Sequence, residues 1–155
     1  MVTRFAPKSH YLGIDPGKSG AMAIVDADGL LVDVIKHKET QHDLWEWLRE
    51  RQPRIAFAVL EKVASRPGQG VASTFKFGEQ FGFCQGVLVA ASIPFELVTP
   101  VRWQGVMGCR SKGDKNVTKA RAQQLWPDAK VIHATADAML LAEYARRVQT
   151  RKISP

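Results

Sequence analysis

The chain has 155 residues, 45% of them hydrophobic and 24% charged, which fits one folded domain with a sizeable core and excludes a disordered chain. No apolar run approaches the roughly 18 residues that span a bilayer, and the N-terminus lacks the apolar segment of a secretory signal. The net charge is +7, and the whole excess falls late: residues 1–100 carry 11 Lys/Arg and 11 Asp/Glu, residues 101–155 carry 11 and 4. Such a bias suits a polyanion, most often nucleic acid, although solubilising charge gives the same count. Cys84 and Cys109 show no metal-ligand spacing and make no disulfide framework, so a reducing cytoplasm is the expected location.

In chain order, three short apolar runs come first, at 11–15, 21–26 and 30–35. Pro16-Gly17 and Asp28-Gly29 supply turn signals between them, so the chain opens as an antiparallel meander. Thr40 is placed to cap a helix over 41–51 that carries Leu44, Trp45 and Leu48 at helical spacing, and Pro53 ends it. Residues 55–60 are continuously apolar, as in a central strand covered on both faces, and the run ends on Glu61. A polar, glycine-rich loop over 62–70 leads into a long helix over about 71–92. Phe77, Phe81, Cys84, Leu88 and Ala91 form an apolar stripe along it, and Gly78, Gly82, Gly86 and Ala90 form a ridge of small residues. Three interior glycines cost roughly 1 kcal/mol each relative to alanine. Close approach of another element, either the protein's own sheet or a second subunit, should recover that loss.

Residues 94–98 read as a fifth strand, and Thr99-Pro100 opens a further helix. A basic loop over 108–116 precedes a helix over 117–125 that exposes Lys119 and Arg121. The last helix begins near Ala134 with Ala138, Leu141, Tyr144 and Ala145 on its buried side, and its basic tail is expected to fray. The order β-β-β-α-β-α-β-α-α-α predicts one α/β domain over 1–155: a five-stranded mixed sheet, three antiparallel strands then parallel ones, with helices on both faces. Residues 1–9 and 150–155 are expected to be flexible.

Three carboxylates stand out by position. Asp15 ends the first strand, Glu61 ends the fourth, and Asp137 lies in the first turn of the last helix. If the first and fourth strands are neighbours, Asp15 and Glu61 face each other and Asp137 can close a triangle. Carboxylates so gathered repel unless cations lie between them, which implies hard divalent ions such as Mg²⁺ or Mn²⁺. Two such ions can activate a water and stabilise the leaving oxygen of a phosphodiester. Each residue also has a plainer reading: a turn cap for Asp15, a surface strand end for Glu61, a helix-dipole partner for Asp137. His133, four positions before Asp137, is a candidate fourth ligand or general base, or a solvent-exposed histidine.

Gly13-Ile14-Asp15-Pro16-Gly17 with Gly20, Val59-Leu60-Glu61 after an apolar strand, and Ala136-Asp137-Ala138 in the last helix together resemble the RuvC-like Holliday junction resolvases of the RNase H-like (retroviral integrase) superfamily. Pro67-Gly68-Gln69-Gly70, Val98-Thr99-Pro100 with Arg102-Trp103, and Ala142-Glu143-Tyr144 are similar to the compact bacteriophage and bacterial branch. The resemblance implies an RNase H-like nuclease fold from about residue 10 to 147 and a homodimer that cuts four-way DNA junctions by paired nicks. It implies two Mg²⁺ ions, with Mn²⁺ as a substitute, held by Asp15, Glu61, Asp137 and His133. The family's fourth ligand lies three positions before the last aspartate in the cellular enzymes, which is Ala134 here. A loop lysine near the scissile phosphate would be Lys112 or Lys115. DNA contacts are expected from Lys18, Arg66, Gln69, Arg102, Arg110, Lys112, Lys115 and Lys119, and dimer contacts from Phe77, Phe81, Gly78 and Gly82. No aromatic residue precedes Phe75 in the loop after Glu61, where the family enters the junction centre. Alternatives are a flap or RNA–DNA hybrid nuclease on the same fold and a non-catalytic junction-binding protein. A sugar-kinase or actin-like ATPase shares the Asp15-x-Gly17-x-x-Gly20 pattern but needs two such domains, so no nucleotide cofactor is expected.

Overall fold

The computed structural model describes residues 7–153. The meander is present as β1 (His10–Asp15), β2 (Ala21–Val25) and β3 (Leu31–Lys36). It is followed by α1 (Gln41–Arg51), β4 (Ile55–Glu61), α2 (Val71–Ala90), β5 (Phe95–Val98), α3 (Pro100–Met107), α4 (Lys115–Leu125) and α5 (His133–Ile153). The strands make one sheet in the order β3-β2-β1-β4-β5. β2 is antiparallel to β1 and β3, whereas β4 is parallel to both β1 and β5. β1 is thus central, and its parallel register with β4 pairs Ile14 with Leu60, so Asp15 and Glu61 end neighbouring strands.

Alternation along the strands builds two cores, one on each face. Leu12, Ile14, Met22, Ile24 and Leu60 pack with Leu48 of α1 and with Cys84 and Leu88 of α2. Tyr11, Ala23, Val25 and Val59 point the other way, onto Trp103 of α3 and onto Ala138, Leu141 and Ala145 of α5. The second face carries smaller side chains at the centre of the sheet, and this lets α5 come close. A Cβ on Gly13 would run into the backbone of Ala138 and Ala142. The helix backbone therefore rests directly on β1, and only glycine fits beneath it.

The structure resolves the two stripes of α2. Phe81, Cys84 and Leu88 pack on the core, and Phe77 lines cavities beside the end of β1. A Cβ added at Gly78, Gly82 or Gly86 meets nothing within 4 Å. The protein's own sheet is therefore not what approaches the glycine ridge, which faces outward, flanked by exposed Val71, Phe75 and Val89.

Two helix starts differ from the sequence reading. Asp114 caps α4 by accepting from the Asn116 amide at 2.9 Å, so Lys115 is the first residue of the helix and not part of the loop. α5 begins at His133, so Asp137 lies a full turn into it, past its first turn. Lys119 and Arg121 are half-buried rather than exposed, and Arg121 donates to the Met107 carbonyl at 2.9 Å. The expected flexibility of residues 1–9 and 150–155 falls partly outside the described residues; within them, α5 stays helical through Ile153. Among the described residues no helix is long and apolar enough to cross a membrane.

Candidate active site

Asp15 is held by the turn that follows it. The Gly17 amide donates to Asp15 Oδ1 at 3.1 Å, and the Gly20 amide closes the turn on the Gly17 carbonyl at 2.8 Å. A Cβ at Gly20 would strike the Asp15 carbonyl oxygen. His37, just past β3, clamps the same turn twice: its amide donates to the Gly20 carbonyl at 3.0 Å, and its Nδ1 lies 3.0 Å from the Gly17 carbonyl. A carbonyl only accepts, so Nδ1 carries the hydrogen and the neutral ring keeps a lone pair on Nε2. That atom is buried without a partner, and burial lowers the pKa of the ring, which keeps it neutral.

Glu61 and Asp137 are held from other elements. The Trp103 indole of α3 donates to Glu61 Oε2 at 2.7 Å. Buried Thr118 of α4 donates to the Lys115 carbonyl at 3.3 Å and, beside Asp137, favours the charged form of that carboxylate, while Asp137 Oδ1 is buried with no partner. All three carboxylates line one cavity of about 670 Å³.

The electrostatics bind the three into one unit. Burial, then the charges of Asp15 and Asp137, pushes Glu61 up to about 7 against the opposing Trp103 hydrogen bond and Lys115. Burial likewise raises Asp15, opposed by the Gly17 amide and Lys115. Asp137 is raised by burial and by Asp15, and lowered by Thr118, Lys115 and His133. Among the described residues, Lys115 is the one cation that acts on all three. One ammonium does not compensate three half-buried carboxylates. An all-oxygen donor set with an orphaned buried oxygen fits a hard divalent ion in chemistry. As the side chains stand, no group of three or more His, Cys, Asp or Glu among the described residues is arranged to hold a metal ion.

The other residues expected at the site divide in two. Lys18, Arg66, Arg110, Lys112 and Lys115 line the carboxylate cavity. Arg110 lies across α3, where the absence of a side chain at Gly105 leaves room for its guanidinium. Lys112 adopts a positive φ of 50° in the loop that carries it into the cavity. Gln69 lies in an adjoining cavity with Arg66, and the two close the loop on itself through main-chain and side-chain hydrogen bonds. Arg102 and Lys119 do not line the cavity. Neither does His133, which is exposed with Nε2 3.1 Å from Asn116 Oδ1 and reaches Asp137 only through its charge.

Sequence reasoning gave no role to Trp103, Thr118 or His37. Trp103 stands in a quoted motif, but its bond to Glu61 spans 42 positions. Thr118 and His37 act across elements, and nothing local in the sequence marks them.

No protein-family model and no curated protein sequence matches the chain. Solved structures do. Thermus thermophilus RuvC superposes with a TM-score of 0.63 at 17% identity, over 92% of this chain and 96% of that one. T. thermophilus RuvC in complex with Holliday junction substrate gives 0.62 at 16%, over 92% and 96%. The yeast mitochondrial Holliday junction resolvase Ydc2 gives 0.54 at 16%, over 96% of this chain and 82% of that one. With its β3-β2-β1-β4-β5 sheet and flanking helices, this chain has the RNase H-like fold that RuvC and Ydc2 share.

Proposed function

We propose that the chain is a metal-dependent endonuclease that resolves four-way DNA junctions by paired, symmetric nicks as a homodimer. One observation carries this reading: Asp15, Glu61 and Asp137, from three separate elements, meet in one cavity edged by Lys18, Arg66, Arg110, Lys112 and Lys115. The fold likeness to a RuvC bound to Holliday junction substrate supports branched DNA as the substrate.

When bound, two Mg²⁺ or Mn²⁺ ions would supply an activated water and stabilise the leaving oxygen. Asp15, Glu61 and Asp137 are the residues that would hold them, Asp15 from the centre of the sheet. Trp103 orients Glu61 through its indole N–H, and Thr118 beside Asp137 favours the charged form of that carboxylate. Lys115, already balancing the three charges, would face the scissile phosphate. Lys112, Arg110 and Arg66 would hold the flanking backbone. The products would be a 5′-phosphate and a 3′-hydroxyl, ends that a ligase can seal. His133 would have to leave Asn116 to serve as a fourth ligand.

For the dimer, the outward seam of α2 is the favoured contact. Gly78, Gly82 and Gly86 leave open space in the single chain, and exposed Val71, Phe75 and Val89 continue the seam at either end.

The test is cleavage of a mobile four-way junction with labelled arms, with and without Mg²⁺, beside a flap and an RNA–DNA hybrid. Asp15→Asn should abolish cleavage and retain junction binding. A fully active Asp15→Asn protein would refute the reading, and preference for the flap or hybrid would reassign the substrate.

A further inference from the structure

A second cavity, of about 500 Å³, opens beside the carboxylate cavity, and Lys18 and Phe77 line both. Its other polar walls are His37 and a row along α2 formed by Ser73, Lys76 and Gln80. Positions 73, 76 and 80 fall on one face of a helix, so a hydroxyl, an ammonium and an amide stand in line. No carboxylate lines this cavity. Neither Lys18 nor Lys76 takes part in an ion pair among the described residues. Two uncompensated ammonium groups beside hydroxyl and amide donors, in a concave site, have the chemistry of a phosphate pocket.

We infer that this second cavity binds a backbone phosphate of the DNA strand being cut, one or two nucleotides from the scissile phosphate, through Lys76, Ser73 and Lys18. The inference rests on reading the carboxylate cavity as a nuclease centre. The turn from Asp15 to Gly20 lines the carboxylate cavity and shares Lys18 with the second one. Lys18 projects from it, the Gly17 amide holds Asp15 on it, and His37 clamps it at Gly17 and Gly20. A strand anchored at Lys76 and Lys18 is thereby set in register against Asp15 by a short, doubly clamped piece of backbone. Lys76 then selects which phosphate reaches the carboxylates, a role that no contact to the scissile group itself performs.

The experiment uses the full chain with Asp15→Asn, which should bind without cutting. Its affinity is measured on four-way junctions carrying one neutral methylphosphonate at each position around the nick, over a range of salt, with and without Lys76→Ala. The expected result is one non-scissile position on the cut strand where the neutral linkage weakens the Lys76 protein and not the Lys76→Ala protein. Lys76→Ala should also lower the slope of log affinity against log salt by about one, and Lys76→Arg should restore it. An unchanged slope, or a sensitive position only on an uncut strand, overturns the inference while junction binding stands. Failure of the Asp15→Asn protein to prefer a junction over plain duplex overturns the functional reading instead, and the strand assignment with it.

Discussion

Glu61 sits in surroundings that oppose its charge. Burial and two neighbouring carboxylates lift it from an ordinary 4.5 to about 7. Folding then favours the protonated form, so its contribution to stability is full below pH 4.5 and is lost as the pH rises through 7. Without metal, the wild type should lose stability relative to Glu61→Gln between about pH 5 and pH 8, by on the order of 3 kcal/mol at most. Urea midpoints of the two proteins in EDTA measure this directly, and parallel pH profiles would remove the claim. Added Mg²⁺ should flatten the wild-type profile, because a ligand that binds only the folded state stabilises it. The Trp103 indole works in the opposite direction to burial, holding the carboxylate oriented while favouring its charge.

At the scale of elements, the site depends on how closely α5 approaches β1. Gly13 sits under Ala138 and Ala142, and Ala138 adjoins Asp137 in the chain, so anything that lifts the helix also withdraws that carboxylate from Asp15. Gly13→Ala should destabilise the fold by about 3 kcal/mol, as overpacking of a filled core does, and thermal denaturation reads it. A Gly13→Ala protein as stable as the wild type would mean that α5 can shift without penalty. Much at this scale was legible in the sequence. The apolar runs ending on Asp15 and Glu61 set the strands, and continuous apolarity in residues 55–60 marked β4 as internal, because such a run has no solvent-facing side. The facing of α2 was not legible. Its two stripes have the same helical period, and periodicity carries no information about which of them meets the sheet. Nor was the start of α4, since Asp114 is equally at home in a basic loop and as the cap that it proves to be.

For the molecule as a whole, the proposed homodimer would form along the glycine ridge, which faces open space in the single chain. Gly82 faces open space, so Gly82→Glu should leave the isolated chain folded and act only between chains. Sedimentation equilibrium should show a wild-type dimer and a Gly82→Glu monomer, with unchanged circular dichroism. An intact Gly82→Glu dimer would take α2 out of the interface. Charge is distributed at this scale too. The late excess of Lys/Arg reaches the site through Arg110, Lys112 and Lys115 on α4 and the loop before it, while Lys18 and Arg66 come from the balanced first part. The sequence count located the bias correctly but could not show that Lys119 and Arg102 fall outside the cavity, because that depends on where the helices dock.

The close seat of α5 on β1 also has a consequence in time. Asp15 and Asp137 come from opposite ends of the chain, and the parallel pairing of β1 with β4 is itself non-local. Contacts between distant segments form late, after loop closure has been met. A chain emerging from the ribosome can complete the meander and α1 while the groove above Gly13 is still empty. Until α5 has emerged and settled into it, the first carboxylate has no third partner. A half-made copy therefore lacks the assembled carboxylate site, and under the proposed function the capacity to cut DNA would arrive only with α5.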